Sequence, residues 1–289
     1  MHPTACRPIS LGPDRRRQRG LPGVLLAVAA GAASGQVIEE TQREQRPSRS
    51  WDATAGFIVH HGAPYAGSAQ RSTVVTPGLG LRWGRFSLVS RSAFSVRGTD
   101  AAAGGGLRVE LADGERLRAG LGLRTDSGRQ ETDSPELRGL GDVRRTLRLR
   151  LSVSYRLDDG WRLRAGALAD ALGRGTGLLG DLQLSRDIAL AYNLNAHATL
   201  ALGFSDRRHM QAHYGITPEQ AQRSGYAESQ ASGGLRDVSL SVGLRRGLSS
   251  RWALFGGASV SQLVGPAARS PIAFERTSLG LSAGLVYGF

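Results

Sequence analysis

Hydrophobic and polar residues alternate along most of the chain after Trp51. In the clearest segment, 146–156, Leu and Val share one set of positions with Tyr155, and Arg and Ser occupy the other set. Successive side chains of a β-strand point to opposite faces, so this period of two predicts strands with one apolar and one polar face. The same alternation predicts strands at 116–124, 161–169, 238–244 and 278–289, and more weakly at 52–60, 72–83, 85–97, 102–112, 175–187, 195–205 and 251–263.

The last predicted strand, 278–289, ends on an aromatic residue. Leu, Ala, Tyr and Phe occupy its odd-numbered positions, and Ser, Gly and Val occupy the even-numbered ones. An apolar outer row is what a lipid-facing strand requires. We expect Phe289 to lie at a membrane rim, like the carboxy-terminal assembly signal of bacterial outer-membrane barrels.

The segments between the predicted strands fall into two sets. Trp83-Gly84, Asp113-Gly114, 158–160 and 248–250 predict tight hairpins, two of them with Asp-Gly, which favours the positive φ of a type I′ turn; the connection near 191–194 is slightly longer. The other set is longer on average and comprises 61–71, 98–101, 126–143, 171–174, 206–233 and 264–275. Short turns alternating with longer loops are typical of a barrel with periplasmic turns and termini and extracellular loops.

These patterns predict an all-β protein, a transmembrane antiparallel β-barrel of about 12 strands of the bacterial outer-membrane type. The 40 glycines disfavour a helical protein, because Gly costs about 1 kcal/mol in a helix interior. The barrel is expected to span 51–289 and to lie in the cell outer membrane, in contact with its lipid.

The first 35 residues have the pattern of a secretory signal peptide. Arginines between positions 15 and 19 precede an apolar stretch from Leu21 to Ala33, which is followed by small residues. That stretch is too short to cross about 30 Å of hydrocarbon as a helix. Ala30-Gly31-Ala32 and Ala33-Ser34-Gly35 both suit cleavage, and we favour the cut after Gly35. Residues 36–50 are polar and aperiodic, and are predicted to form a periplasmic lead-in.

The formal net charge is +13, and every basic side chain other than histidine is arginine. The arginines are spread along the chain without a basic block interleaved with aromatics, so no nucleic-acid partner is predicted. Seven are expected on the lumen side, because a lipid-facing arginine at the midplane costs roughly 2–4 kcal/mol. We interpret them as filling and solvating the interior, with four acidic residues as candidate partners. The seven are Arg116, Arg118, Arg124, Arg148, Arg150, Arg162 and Arg164, and the acids are Glu110, Asp170, Asp181 and Asp187.

No constellation in the sequence indicates catalysis, a cofactor or a metal. His209 and His213 have the i, i+4 spacing of a metal pair, but only on a helix, and here they are expected to be surface residues of a loop. The serines lack a nucleophile-like context, so no catalytic residue is nominated. Cys6 lies in the signal segment, so the mature chain is expected to have no disulfide. The glycine-rich segments 104–106 and 139–142 match no nucleotide fingerprint, and are interpreted as sites of close packing or sharp bending.

Three segments resemble the MipA/OmpV family. The loop 213–226, HYGITPEQAQRSGY, is similar to that family's "YFGVTPAQSARSGLPAY"; 233–238, GGLRDV, resembles its next strand start; and 263–272, LVGPAARSPI, is similar to its "LLGDAADSPIV". Landmarks at 65–68, 82–84 and 137–142 occur in the family's order. Pro266 and Arg269 replace family acids, and the chain ends Tyr-Gly-Phe rather than Tyr-Arg-Phe.

The resemblance implies a non-catalytic outer-membrane scaffold for murein synthesis, which holds a lytic transglycosylase and a bifunctional peptidoglycan synthase together. The residues by themselves indicate an outer-membrane barrel without enzymatic activity. The alternative is an outer-membrane pore, or a surface receptor or adhesin that uses the long loops at 126–143 and 206–233.

Overall fold

The structure is a computed structural model that describes residues 51–90 and 105–289. Twelve antiparallel strands form one closed barrel, in which each strand pairs with its chain neighbours and β1 pairs with β12. The strands are β1 (Trp51–Gly62), β2 (Ser72–Trp83), β3 (Phe86–Ser90), β4 (Gly106–Asp113), β5 (Leu117–Asp126), β6 (Thr146–Arg156), β7 (Trp161–Asp170), β8 (Leu179–Ala191), β9 (Leu194–Ser205), β10 (Gly234–Gly247), β11 (Trp252–Leu263) and β12 (Thr277–Gly288). The predicted signal peptide 1–35, the lead-in 36–50, the loop 98–101 and the end of the predicted strand 85–97 lie outside the described residues.

The predicted fold class is confirmed, and two strands, 72–83 and 146–156, have the predicted bounds. The largest shift is in the strand predicted at 175–187, which runs over Leu179–Ala191 instead. Gly175 and Gly177 have φ of 79° and 69°, which a strand does not accommodate. The strand therefore starts after these glycines.

The outward face of the barrel is almost entirely apolar. Leu151 in β6 and Leu279 in β12 are 50% and 61% exposed, whereas the alternate residues Ser152 and Gly280 are buried. Among the described strands, Arg186 and Arg246 are the only charged residues at outward-facing positions. Both lie close to tight turns. The rest of this surface has the chemistry of a hydrocarbon-facing band.

Aromatic side chains form a girdle at the end of the barrel that carries the tight turns. All four tryptophans are at strand ends there, at positions 51, 83, 161 and 252. Trp252 and Phe289 each pack edge-on against Tyr287, with ring centroids 5.0 and 4.9 Å apart. Amphipathic aromatic rings are enriched at membrane–water interfaces, so the girdle marks one interface.

The tight turns follow the predicted turn chemistry except at one position. Asp159 and Gly160 have φ of 57° and 76°, as the Asp-Gly prediction requires, and Asn193 has φ of 60° in the β8–β9 turn. The same prediction is wrong at Gly114, which does not adopt positive φ. There the Gly114 N–H donates to the carbonyl of Leu117 at 2.9 Å and closes a longer turn.

Among the described residues, three of the connections at the opposite end contain helical structure. The β9–β10 loop has two short helices, α1 (Arg207–Tyr214) and α2 (Pro218–Ser224), and the β5–β6 and β11–β12 loops contain 3₁₀ turns. No helix in 51–90 or 105–289 has the length and apolar character needed to cross a membrane.

We predict that an arginine is tolerated on the outer wall only near the interface. Leu151→Arg, at mid-strand in β6, should reduce the free energy of folding into lipid vesicles by roughly 2–4 kcal/mol, because the charge enters hydrocarbon. Leu190→Arg, at the tight-turn end of β8, is the control and should cost about 0–1 kcal/mol. Denaturant titration of vesicle-folded protein measures both. Equal costs at the two positions would contradict the membrane placement of the barrel.

Candidate functional site

Four of the long loops pack together into a folded unit at one mouth of the barrel. We call this unit the loop cap, and it comprises residues 63–71, 127–145, 206–233 and 264–276. One apolar cluster in it joins all four loops and consists of Tyr65, Leu137, Leu140, Ile216 and Ile272. A second cluster attaches α1 to the end of β11 and the loop after it, and consists of Met210, Tyr214, Ala231, Leu263 and Ala267. The loops therefore have a core of their own, which fixes them relative to one another.

Carboxylates bind the turns of the loop cap together. Glu136 accepts hydrogen bonds from the Ser68 hydroxyl and, at 3.0 Å, from the Ala69 N–H. Glu131 accepts the N–H groups of Gly139 and Gly141 at 2.6 and 3.0 Å. Because carboxylates are the acceptors in each case, these are charge-assisted bonds that hold the turn 135–142 in shape.

Helix α2 lies against the same turn. The Gln220 side chain donates to the carbonyl of Leu140 at 2.6 Å, and the Tyr226 hydroxyl donates to the carbonyl of Glu136 at 3.0 Å. Thr217 and Gln220 form a capping box that starts the helix, and Gly225, with φ of 77°, ends it. Four of the six segments that carry the family resemblance, 65–68, 137–142, 213–226 and 263–272, thus meet in or beside the loop cap.

Helix α1 turns its two histidines inward, so the prediction that they are surface residues of a loop is wrong. His209 is buried, His213 is half-buried, and their rings stack with centroids 4.0 Å apart. His209 Nδ1 lies 3.1 Å from the Thr176 carbonyl. Among the described residues no group of three or more His, Cys, Asp or Glu side chains could hold a metal ion. The sequence did not predict this helix because α1 spans only eight residues, which is too short to show a clear helical period.

Burial keeps both imidazoles neutral. Desolvation, followed by the proximity of His213, lowers the pKa of His209 well below its ordinary value. Desolvation, followed by the charge of Arg129, lowers the pKa of His213 to about 4. Arg148 acts in the same direction on both rings, and Asp126 opposes it at His213.

Several arginines of the inner wall are paired with acids, and two of these pairs use acids that were predicted as candidates. Arg150 lies 3.2 Å from Asp181, and Arg162 lies 3.4 Å from Asp187. Asp170 instead accepts from Thr146 and from the Thr176 N–H, and it fixes the 171–178 loop. The placement of Arg116 at depth is wrong. It precedes β5 in a tight turn, where its exposed guanidinium lies 3.3 Å from Asp158.

One deeply buried ion pair of the barrel was not anticipated from the sequence. Arg148 has no exposed side-chain surface, and its Nε lies 2.5 Å from Asp126. The same guanidinium donates to the carbonyls of Gly177 and Thr176 at 2.9 and 3.2 Å. Arg148 therefore ties β5 and β6 to the loop on which His209 rests.

A hydroxyl–imidazole–carboxylate chain lies inside the barrel, and sequence reasoning missed it. The Thr199 hydroxyl is 3.0 Å from His197 Nε2, and His197 Nδ1 hydrogen-bonds Asp187. This is the order of a nucleophile, base and orienting acid. Thr199, however, is only 3% exposed, and its β9 backbone is paired with both β8 and β10, which commits the N–H donors that an oxyanion would need. The three side chains therefore form a hydrogen-bond network of the inner wall.

Apolar side chains enter the lumen near the tight-turn end. Ile58, Ala253, Phe255 and Val286, from β1, β11 and β12, form one buried cluster. The Arg245 guanidinium lies over the Phe255 ring at 5.9 Å. This sector of the inner wall is packed rather than solvated, in contrast to the paired charges on β5–β8.

Close packing of the 135–142 turn against α2 requires glycine at position 139. Gly139 has φ of 83°, and a Cβ there would lie 2.7 Å from the Arg223 carbonyl oxygen; at Gly141, with φ of 68°, the nearest atom would be 3.7 Å away. We predict that Gly139→Ala detaches α2 and raises hydrogen exchange in 213–226 at least tenfold. The control Gly141→Ala carries similar backbone strain without the clash, and should change exchange by a smaller factor. Equal effects of the two substitutions would argue against the packing explanation.

Acid is predicted to loosen the loop cap. In the folded protein these histidines stay neutral, whereas in the unfolded chain a histidine has a pKa of about 6.5 and binds a proton more readily. Burying the two neutral rings therefore costs no stability above pH 6.5, but the folded state loses stability relative to the unfolded state as pH falls towards about 4. Amide exchange in 206–233, corrected for intrinsic rates, should therefore accelerate between pH 7.5 and 5. His209→Gln with His213→Gln should flatten that dependence, and the exposed control His61→Gln should leave it intact. A double variant as acid-sensitive as the natural sequence would refute the assignment to these histidines.

Several solved structures resemble this chain at low sequence identity and low TM-score. An anion-selective porin from Comamonas acidovorans is 12% identical, with 83% of this chain and 98% of the porin covered and a TM-score of 0.38. The NanC porin is 6% identical, with 80% and 98% covered and a TM-score of 0.41. The CymD monoaromatic hydrocarbon channel is 11% identical, with 90% and 97% covered and a TM-score of 0.39. A comparison with curated proteins finds no match.

One protein family matches the sequence over nearly all of the described residues. Its description is MltA-interacting protein MipA, and the match covers residues 55–289. The matched region contains almost the whole barrel and the loop cap, in or beside which four of the six family-like segments meet. The chain is therefore an outer-membrane β-barrel protein that belongs to the MipA family.

Proposed function

We propose that this protein is a non-catalytic outer-membrane scaffold for enzymes that synthesise and remodel murein. The observation that carries the proposal is the family match over residues 55–289, because the family is described by an interaction with MltA. The family resemblance of the sequence implies a lytic transglycosylase and a bifunctional peptidoglycan synthase as the partners.

The two ends of the barrel suit different surroundings. The loop cap occupies the mouth opposite the aromatic girdle, and we propose that it faces the cell exterior. Trp51 and Phe289 both lie at the tight-turn end, which in this orientation faces the periplasm, where murein enzymes act. In the same proposal residues 1–35 are removed as a signal peptide, and residues 36–50 enter the periplasm as the lead-in to Trp51.

The β8–β9 hairpin extends beyond its neighbour β7 at the tight-turn end. Trp161, the first residue of β7, pairs with Arg186, so residues 187–191 of β8 extend beyond β7. All of β8 from Arg186 onward is exposed, and Tyr192 at the tip is 94% exposed. An exposed tyrosine at the centre of a projecting hairpin is the kind of side chain that anchors protein interfaces. We propose this hairpin as part of the contact with the murein enzymes.

The second candidate function is a pore or a surface receptor. A pore would use the arginines of the inner wall, and a receptor would use the long loops. Two features oppose a wide channel. The loop cap has its own apolar core at one mouth, and the Phe255 cluster packs part of the lumen near the other. A receptor role would use the outer surface of the loop cap and is compatible with the same barrel.

Binding of a lytic transglycosylase is the direct test. We expect purified barrel protein, immobilised in neutral detergent, to retain a purified MltA-type lytic transglycosylase. Tyr192→Ser should weaken retention at least fivefold, because it removes the exposed anchor. Tyr155→Ser, in the girdle on the outer wall of β6, is the control and should retain the enzyme normally. Surface plasmon resonance measures the affinities, and no binding by the natural sequence would overturn the scaffold.

Conductance separates the scaffold from the pore in the same preparation. The scaffold proposal expects no steady ohmic channel when the protein is inserted into a planar bilayer. A steady open channel, with no retention of the transglycosylase, would establish the pore instead.

A further inference from the structure

Five exposed arginines follow one arc of the barrel rim at the loop-cap end. We call them the arginine arc: Arg144, Arg145, Arg174, Arg207 and Arg208. They stand at the start of β6, in the β7–β8 loop and at the start of α1, so they occupy consecutive sectors of the rim from β6 to β9. Within the part of the chain that the structure describes, none of the five forms an ion pair. By contrast, Arg71, on the β1–β2 side of the rim, is paired with Glu275 at 2.5 Å.

Two carboxylates close to the arc, Asp170 and Asp206, are engaged elsewhere. Asp170 accepts from the Thr146 hydroxyl and from the N–H groups of Leu172 and Thr176. Asp206 caps α1 by accepting the His209 N–H at 2.8 Å. Both acids therefore bind backbone N–H groups, and among residues 51–90 and 105–289 no acid forms an ion pair with an arginine of the arc.

The arc is held on a rigid support. The Arg174 guanidinium donates to the Arg145 carbonyl at 2.6 Å, which joins the β7–β8 loop to the start of β6. Beneath that loop, the buried Arg148 binds the carbonyls of Thr176 and Gly177, and His209 lies against the same Thr176 carbonyl. The guanidinium groups thus project from fixed backbone, which lowers the entropy cost of binding a ligand.

Exposed apolar side chains lie next to the arc. Leu172 and Leu178, at either end of the β7–β8 loop, are each 47% exposed, and Phe204, near the end of β9, is 40% exposed. Phe204 takes an outward position of β9, because its neighbours Gly203 and Ser205 are buried. Cations above an apolar outer wall match a lipid that has an anionic headgroup and acyl chains.

We propose that the arginine arc binds the phosphorylated glycolipid of the leaflet at the loop-cap end. Adjacent strands are about 4.8 Å apart, so the arc from β6 to β9 spans roughly 14 Å, which is wide enough for more than one phosphate. Guanidinium groups bind phosphate oxygens in a bidentate fashion, and the acyl chains lie against Leu172, Leu178 and Phe204. The inference rests on the proposed orientation of the barrel, but not on its binding to murein enzymes.

The test compares diphosphoryl lipid A with the same lipid after phosphatase treatment. Native mass spectrometry of the full barrel in neutral detergent should show tight binding of the phosphorylated form and weak binding of the dephosphorylated form. A triple variant, Arg144→Gln, Arg174→Gln and Arg208→Gln, should bind the phosphorylated form roughly 100-fold more weakly, since each surface arginine contributes about fivefold. A control triple variant changes three exposed arginines of the loop cap outside the arc, Arg138→Gln, Arg223→Gln and Arg276→Gln, and should lose less than twofold.

Three results would overturn the proposal. These are equal binding of the two lipid forms, an equal loss in the control triple variant, or equally tight binding of phosphatidylglycerol with the same loss in the arc variant. The last result would make the arc a general anionic-lipid site rather than a glycolipid site. Heat-modifiable mobility on a gel verifies that both variants are folded barrels. Because no murein enzyme is present, failure of the scaffold proposal leaves this measurement unaffected.

Discussion

Backbone N–H and C=O groups find no water in the hydrocarbon of a membrane, so each must be hydrogen-bonded within the protein. Here the ring of twelve strands meets that requirement by pairing β1 with β12. The alternation of the sequence follows from the same constraint, because every strand must present one row of side chains to lipid and the other to the interior. The girdle of aromatic residues then sets the depth of the ring in the membrane.

A closed ring encloses an interior, which this chain fills with paired charges on β5–β8 and with the apolar cluster around Phe255, while folded loops cover one mouth. Arg148 is central, because it neutralises Asp126 and also fixes the loop against which α1 packs. The side chains that solvate the lumen therefore also support the loop cap. The same support positions the arginine arc on the outer rim, so the inner and outer surfaces of this sector are mechanically connected.

The alternation of apolar and polar residues was sufficient to predict the barrel. The predicted strands 72–83 and 146–156, for example, match the structure residue for residue. The period of two is a property of neighbouring residues and can be read without tertiary contacts. The loop cap could not be predicted in this way. The Tyr65 hydroxyl, for example, donates to the carbonyl of Ile272, 207 positions away. His209 and Thr199 were missed for a similar reason, because their roles depend on burial and on partners contributed by other elements.

The seam between the first and last strands has a consequence for how the barrel is made. It joins Thr54 to Gly288 and His61 to Leu281, so it cannot form until the final strand is present. All other strand pairs join neighbours in the chain and can form as local hairpins. Until the seam closes, the sheet has two open edges that can pair with a foreign polypeptide. Safe assembly of this protein therefore requires that ring closure be faster than encounters with other unfolded chains.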